Sequence, residues 1–444
     1  SSLLDNKKRC IEVLAQSLSE LSHPSIEIVP QTMPPFPWHF GGQRYHNLFV
    51  EPNEIVMICQ ELGIRVCLDV SHSKLACNEK KLSFDTDTSN LFLKNGCAHE
   101  FMDNFKNENL SETFLSIAEE GFNGFYNGWV ASDLITKLNS IGGNHTLRDF
   151  SNASAEWVKP LEGNYRNIKI HEAPPNSQGL VALIILAILE RFNFNKIAKV
   201  DYLHIFCEAT KIGYFLRDLY LADAEYNKLS VNSFLNSKIM EQYAFNIDMN
   251  KAKTFEKSDF PNHPDTIYLT VRDKSGMTIS FINSLFDAFG SGITAPKSGI
   301  LFHCRGRAFN TIEGHPNELN PNKRPVHTII PAMISKSDRL IGSFGVMGGQ
   351  YQAAGHAYVL SQMIDFGLNP QLALNYPRIF PNNNILDIEK GFDKEVIDEL
   401  KSRGHVINYP SLPIGGGQMI LTDEDRSVLI GASDWRKDGL AIGY

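Results

Sequence analysis

Apolar residues keep helical spacing between Leu3 and Ser22 (Leu4, Ile11, Leu14, Leu18, Leu21), and Ile26–Val29 then reads as a short buried strand. A second helix over about 53–61 ends at Gly63, and Ile64–Leu68 is another strand, closing on Asp69-Val70-Ser71-His72. Helix, strand, helix, strand is the rhythm of a βα repeat. It stops in the polar, turn-like text of residues 80–88, where a domain boundary is placed. Beyond it the spacing predicts helices over 111–120 and 129–141, an apolar helix after Gly179 and a long one through 203–221. A polar stretch, 246–265, separates these from strands predicted at 267–272, 278–282, 299–303 and 329–334; strands and helices then alternate to Gly415-Gly416-Gly417. The longest apolar run, Leu180–Leu189, is far short of the roughly 20 residues that span a bilayer.

Composition narrows the function. At 444 residues the chain suggests two to three domains at about 150 residues each. Lysine and arginine number 42 against 50 acids, a net charge of −8, which argues against a dedicated nucleic-acid or anionic-membrane binder and leaves small-molecule chemistry. Seven cysteines, an odd number without CxxC pairing, favour a reduced compartment over a disulfide framework. The first residues carry neither methionine nor a secretory pattern; a cytoplasmic location is expected, with a lost upstream segment left open. Oligomeric state is not legible.

Thr266 opens a predicted strand, and Asp273-Lys274-Ser275-Gly276 supplies the turn of a hairpin. Alone, Thr266 is an ordinary strand-start residue. Downstream, in order, stand Phe289-Gly290-Ser291-Gly292, Gly299-Ile300-Leu301-Phe302, Pro321-Asn322-Lys323-Arg324-Pro325, Gly345-Val346-Met347-Gly348-Gly349-Gln350 and Ala373-Leu374-Asn375-Tyr376-Pro377-Arg378-Ile379-Phe380. Upstream are Gly142-Gly143-Asn144-His145-Thr146-Leu147, Ala173-Pro174-Pro175-Asn176-Ser177-Gln178-Gly179, Glu208-Ala209-Thr210-Lys211 and Arg217-Asp218. From about residue 90 to 444 this order resembles the γ-glutamyltransferase (γ-glutamyltranspeptidase) family, in particular its acylase-like branch.

The resemblance implies a cofactor-free N-terminal-nucleophile hydrolase with an αββα sandwich, made as a precursor that cleaves itself. It implies a helical part over 86–265 and a nucleophile-bearing part over 266–444. Thr266 falls on the nucleophile; breaking the Asp265–Thr266 bond would give it a free α-amine as its base. Gly348 and Gly349 match the oxyanion glycines. Thr270 matches a position near the nucleophile, an ordinary strand threonine being the alternative. Ser284, Phe286, Arg305, Arg307, Ala308, His327 and Thr328 fall on substrate-binding positions. Four of these depart from the pattern. Phe286 stands for the amino-acid-binding asparagine, Ala308 for the aspartate that would hold a glutamyl ammonium, and His327-Thr328 for a serine pair. Losing a charge-assisted hydrogen bond of about 1.5–3 kcal/mol puts tight γ-glutamyl recognition in doubt and favours another acyl donor. Arg305 and Arg307 are candidates for a substrate carboxylate, solvated surface arginines being the alternative.

Residues 1–85 read differently. Ile26-Glu27-Ile28-Val29-Pro30-Gln31-Thr32 and Val66-Cys67-Leu68-Asp69-Val70-Ser71-His72 resemble a xylose-isomerase-like sugar-phosphate isomerase, whose strand-end carboxylates and histidines bind a divalent metal. Asp69 and His72 are the candidate ligands, with Gln31 or Glu27 third. The segment holds only two or three of the eight βα units a barrel needs, so metal binding there is doubtful. The expected architecture is thus mixed α/β and α+β: a partial (β/α) barrel fragment joined to a truncated αββα sandwich. The rivals to an amide hydrolase are a metal-dependent sugar isomerase and a non-catalytic fusion of two truncated enzymes.

Overall fold

The structure, a computed structural model, describes residues 80–99, 104–227, 230–255, 258, 260–261, 266–423, 426–437 and 439–443. The proposed barrel fragment, with Gln31, Asp69 and His72, lies outside the described residues except for its last few positions.

The described chain divides into two compact units, one of residues up to Ala155 with Phe289–Phe302, the other of Glu156–Ala288 with His303–Tyr444. The boundaries expected at 86–265 and 266–444 are therefore crossed by the chain. In the first unit, helices Glu108–Glu120 and Trp129–Ser140 match the apolar spacing to within three residues. The excursion 289–302 is fixed there by side chains reaching backbone. The Asp133 carboxylate accepts the N–H groups of Lys297 (3.1 Å) and Ser298 (2.7 Å), and the Thr88 and Thr294 hydroxyls meet at 2.8 Å. Only a two-residue ladder, Thr294–Ala295 with Ile300–Leu301, forms where a longer strand was expected.

The second unit is built on strands β1 (Leu161–Tyr165), β2 (Ile168–Glu172), β3 (Ile267–Arg272), β4 (Thr278–Asn283), β5 (Ala332–Lys336), β6 (Arg339–Met347), β7 (Gly416–Asp423) and β8 (Val428–Ser433). Six of them form one antiparallel sheet in the order β1-β2-β5-β6-β7-β8, and β3–β4 is a separate hairpin. Helices α1 (Gly179–Leu189), α2 (Lys199–Tyr220) and α3 (Tyr351–Ile364) complete the core. Every residue of α1 but Ala187 is buried, which is why its sequence is apolar all round. Each such leucine or isoleucine contributes about 1.5–3 kcal/mol through burial.

Strand β6 shows how the layers stack. Phe344 and Val346 turn toward α3, with the Phe344 and His356 rings 4.6 Å apart. The alternate residues, Ser343 and Gly345, meet the hairpin: the Thr270 hydroxyl bonds that of Ser343, and a Cβ on Gly345 would lie 2.4 Å from the Tyr268 ring. This is period-2 patterning buried on both faces. The order helix, sheet, hairpin supplies three layers of the expected αββα sandwich. The hairpin's far face (Ile267, Leu269, Val271, Ile279, Phe281) is exposed among the described residues, so a fourth layer is not seen there. No helix among them is long and apolar enough to cross a membrane.

Candidate active site

The register of the hairpin places the candidate nucleophile. Ile267 pairs with Asn283, so the next residues outward, Thr266 and Ser284, come face to face. The Thr266 hydroxyl donates to Ser284 Oγ at 3.3 Å and accepts from Gln352 Nε2 at 3.4 Å, both long bonds. Thr270 is four residues further along, roughly 13 Å at about 3.3 Å per residue. Its hydroxyl serves Ser343, not Thr266, so its role is to dock the hairpin on the sheet.

One wall of the site is the junction of β6 and α3. Gly348 and Gly349 have φ of +125° and +59°, which favour glycine, and a Cβ on Gly348 would lie 2.7 Å from Gly415 Cα. Helix α3 starts on this turn: the Tyr351 and Gln352 N–H groups donate to the carbonyls of Gly348 (3.1 Å) and Gly349 (3.2 Å). Its N-terminal dipole therefore favours negative charge at the glycine pair. Behind, His356 Nε2 accepts the Val346 N–H (3.1 Å) and Nδ1 donates to the fully buried Glu172 (2.7 Å), whose pKa burial raises. Gln178 donates to the carbonyls of Gly349 (3.3 Å) and Thr328 (3.2 Å), so the buried Thr328 and neighbouring His327 flank the turn through backbone contacts. The Pro377-Arg378 motif is structural: fully buried Arg378 ion-pairs with Asp434 and donates to the carbonyl of Ile414, next to Gly415.

The other wall is the loop after β4. Ser284 Oγ accepts the Phe286 N–H at 3.0 Å, stabilising Phe286 at φ +81°, an outlier for so bulky a residue. Arg305 donates to the Ser284 carbonyl (2.6 Å) and its guanidinium lies 6.0 Å from the Phe286 ring centroid. Its Nη1 is buried without a hydrogen-bond partner, and desolvation lowers its pKa. Arg307, by contrast, is exposed and paired with Asp287. Ala308 is buried.

Upstream of Thr266, the Phe260 carbonyl accepts from Gln350 Nε2 at 2.9 Å, while the Arg217 guanidinium stacks 4.4 Å from the Phe260 ring and donates to Gln350 Oε1 at 2.8 Å. Arg217, from the Arg217-Asp218 motif, thus ties Phe260 to Gln350, at the start of α3. Asp265 lies outside the described residues. Sequence reasoning missed Gln352; the signal available was its place on the first turn of the helix that begins at the glycine pair.

Among the described residues, His204, Glu208 and His405 lie close enough to share an ion. His204 Nδ1 meets His405 Nε2 at 2.8 Å, and Glu208 is already ion-paired with Lys211, so the set is satisfied as a buried polar pin joining α2 to the segment at His405.

Thr266 thus stands at a strand head beside Gln352, on the first turn of the helix that begins at the glycine pair, the residue types that acyl transfer by an N-terminal nucleophile uses. Comparison with known proteins agrees. The chain matches the profile of Gamma-glutamyltranspeptidase over residues 60–444. It is 33% identical over 368 residues to the glutathione hydrolase-like YwrD proenzyme of Bacillus subtilis, covering 80% of this chain and 69% of that protein. With the oxamate amidohydrolase proenzyme of Klebsiella pneumoniae it shares 30% identity over 393 residues, covering 86% and 74%. The crystal structure of a cephalosporin acylase from Bacillus halodurans superposes with a TM-score of 0.77 at 34% identity, covering 83% of this chain and 70% of that one. The chain belongs to the gamma-glutamyltranspeptidase family and has the mixed α/β fold of its hydrolases. The family match begins at residue 60, so Asp69 and His72 fall inside its span, and none of these comparisons supports a sugar-isomerase fragment over residues 1–85.

Proposed function

We propose that this chain is an amide hydrolase and acyltransferase whose nucleophile is the Thr266 hydroxyl, freed by self-cleavage, and that it gains little from an α-ammonium on the acyl group. The observation that carries the reading is the convergence on Thr266 of Ser284 and of Gln352, which sits three residues after the glycine pair. In the maturation step, Thr266 Oγ attacks the Asp265 carbonyl and the peptide N–C bond breaks, giving an ester. Water then hydrolyses it to the Asp265 carboxylate and a Thr266 carrying a free α-amine. In turnover, that amine takes the hydroxyl proton as Oγ attacks the substrate amide, and passes it to the leaving amine. Water then releases the acyl group as its acid, or an amine takes it.

The small-molecule acyl donor is set by the loop wall. The buried Phe286 ring and Ala308 disfavour a desolvated ammonium, while the unpartnered Arg305 Nη1 suits a carboxylate at the far end of the acyl chain. The test is to quench turnover of a glutaryl anilide in acid and map the covalent adduct. A glutaryl ester on the peptide that begins with Thr266 supports the reading; turnover with adduct on another residue, or turnover by Thr266→Ala, overturns it.

A further inference from the structure

Gln352 is fully buried on the first turn of α3, and its amide is only half used: Nε2 reaches the Thr266 hydroxyl at 3.4 Å, while Oε1 has no hydrogen-bond partner. A buried carbonyl left unsatisfied beside a nucleophile calls for an explanation. The chemistry of self-cleavage supplies one. Before cleavage the Thr266 nitrogen is a peptide N–H; afterwards it is an amine with at least one more hydrogen, and that extra donor appears within a few bonds of the hydroxyl that Nε2 already touches. We propose that Gln352 is the positioning residue of the mature nucleophile, its Oε1 accepting an N–H of the Thr266 α-amine so that the amine's lone pair faces Oγ. One side chain then holds both reacting atoms, and the same rotamer serves the precursor through Nε2 and the mature enzyme through both ends. The proposal rests on the reading of Thr266 as a self-cleaving nucleophile.

The experiment follows kcat and KM for an acyl anilide against pH in the self-cleaved wild type, Gln352→Glu and Gln352→Leu, with intact mass recorded for each. The acidic limb of kcat/KM reports the α-ammonium, which titrates near 7.7–8.0 when unperturbed. A carboxylate at position 352 stabilises the ammonium, so the limb in Gln352→Glu moves up by about one pH unit or more. Gln352→Leu lowers kcat about tenfold or more with KM within about twofold, because orientation and not binding is lost. An unmoved limb in Gln352→Glu, or wild-type kcat in Gln352→Leu, overturns the proposal. So does failure of both folded variants to self-cleave, which would confine Gln352 to the precursor. A wild-type chain that stays whole defeats the Thr266 reading itself, and the mass spectra tell the two failures apart.

Discussion

The two walls beside Thr266 are built in opposite ways. The glycine wall is closed and over-determined: β6 runs into Gly348-Gly349, α3 starts on that turn, and His356, Glu172 and Gln178 secure strand and turn from behind. The loop wall is loose by comparison, with a left-handed Phe286, an arginine that keeps one donor unpaired, and an alanine. A reaction intermediate has one shape whatever the substrate, so its wall tolerates little change. An acyl group varies, and the wall that reads it can be rewritten without touching the chemistry. On the proposed reading, reaction and acyl choice are carried by different elements of one unit.

The sharpest way to break this comparison is on the rigid side. Gly348→Ala forces a Cβ to 2.7 Å from Gly415 at a φ of +125°. It should cut kcat by about 10²–10³-fold, the scale of losing an oxyanion donor, with KM little changed in steady-state assays. On the loop side, Arg305→Ala should raise KM for a glutaryl anilide about 10- to 100-fold, matching a lost charge-assisted bond of about 1.5–3 kcal/mol, and spare kcat. An equal fall in kcat would place Arg305 in the reaction wall. Smaller still, kcat/KM for γ-glutamyl and glutaryl anilides should agree within about tenfold, a span of about 1.4 kcal/mol. A preference of several hundredfold for the γ-glutamyl compound would mean that another group holds the amine.

Far from either wall, burial pushes His405 down to about 3. A depressed histidine favours the fold when neutral, so stability is complete above its unfolded value near 6.5 and is lost as pH falls from there toward 3, by up to about 1.4 kcal/mol per pH unit. Urea unfolding at pH 7 and pH 5 should show this slope, and His405→Gln should flatten it without altering kcat at pH 7.

Much of this was legible in the sequence where one pattern dictates one structure. The uniformly apolar Leu180–Leu189 had to be a buried helix, and the alternation from Ile267 to Arg272 gave the strand to the residue. Thr266 and Ser284, named from motif order, come face to face at the hairpin's end, and the glycine pair, named the same way, follows β6. Strands β1 and β2 were missed because five-residue strands such as Leu-Glu-Gly-Asn-Tyr carry glycine and asparagine, and only pairing with each other and with β5 makes them strands. Thr270 was placed near the nucleophile by the family resemblance alone, with an ordinary strand threonine as the alternative; in the structure its hydroxyl meets that of Ser343. Gln352 stayed hidden because its partner lies 86 residues away. The isomerase reading of residues 1–85 gains no support from the comparisons, and a short strand ending in Asp-x-x-His fits many folds.

The account turns on whether Thr266 becomes an N-terminus. The direct measurement is the intact mass of the purified, folded chain after prolonged incubation, beside Thr266→Ala. Two fragments meeting between Asp265 and Thr266 in the wild type, with the variant whole, is the result predicted. A wild-type chain that keeps its full mass of 49.8 kDa while folded by circular dichroism would contradict it.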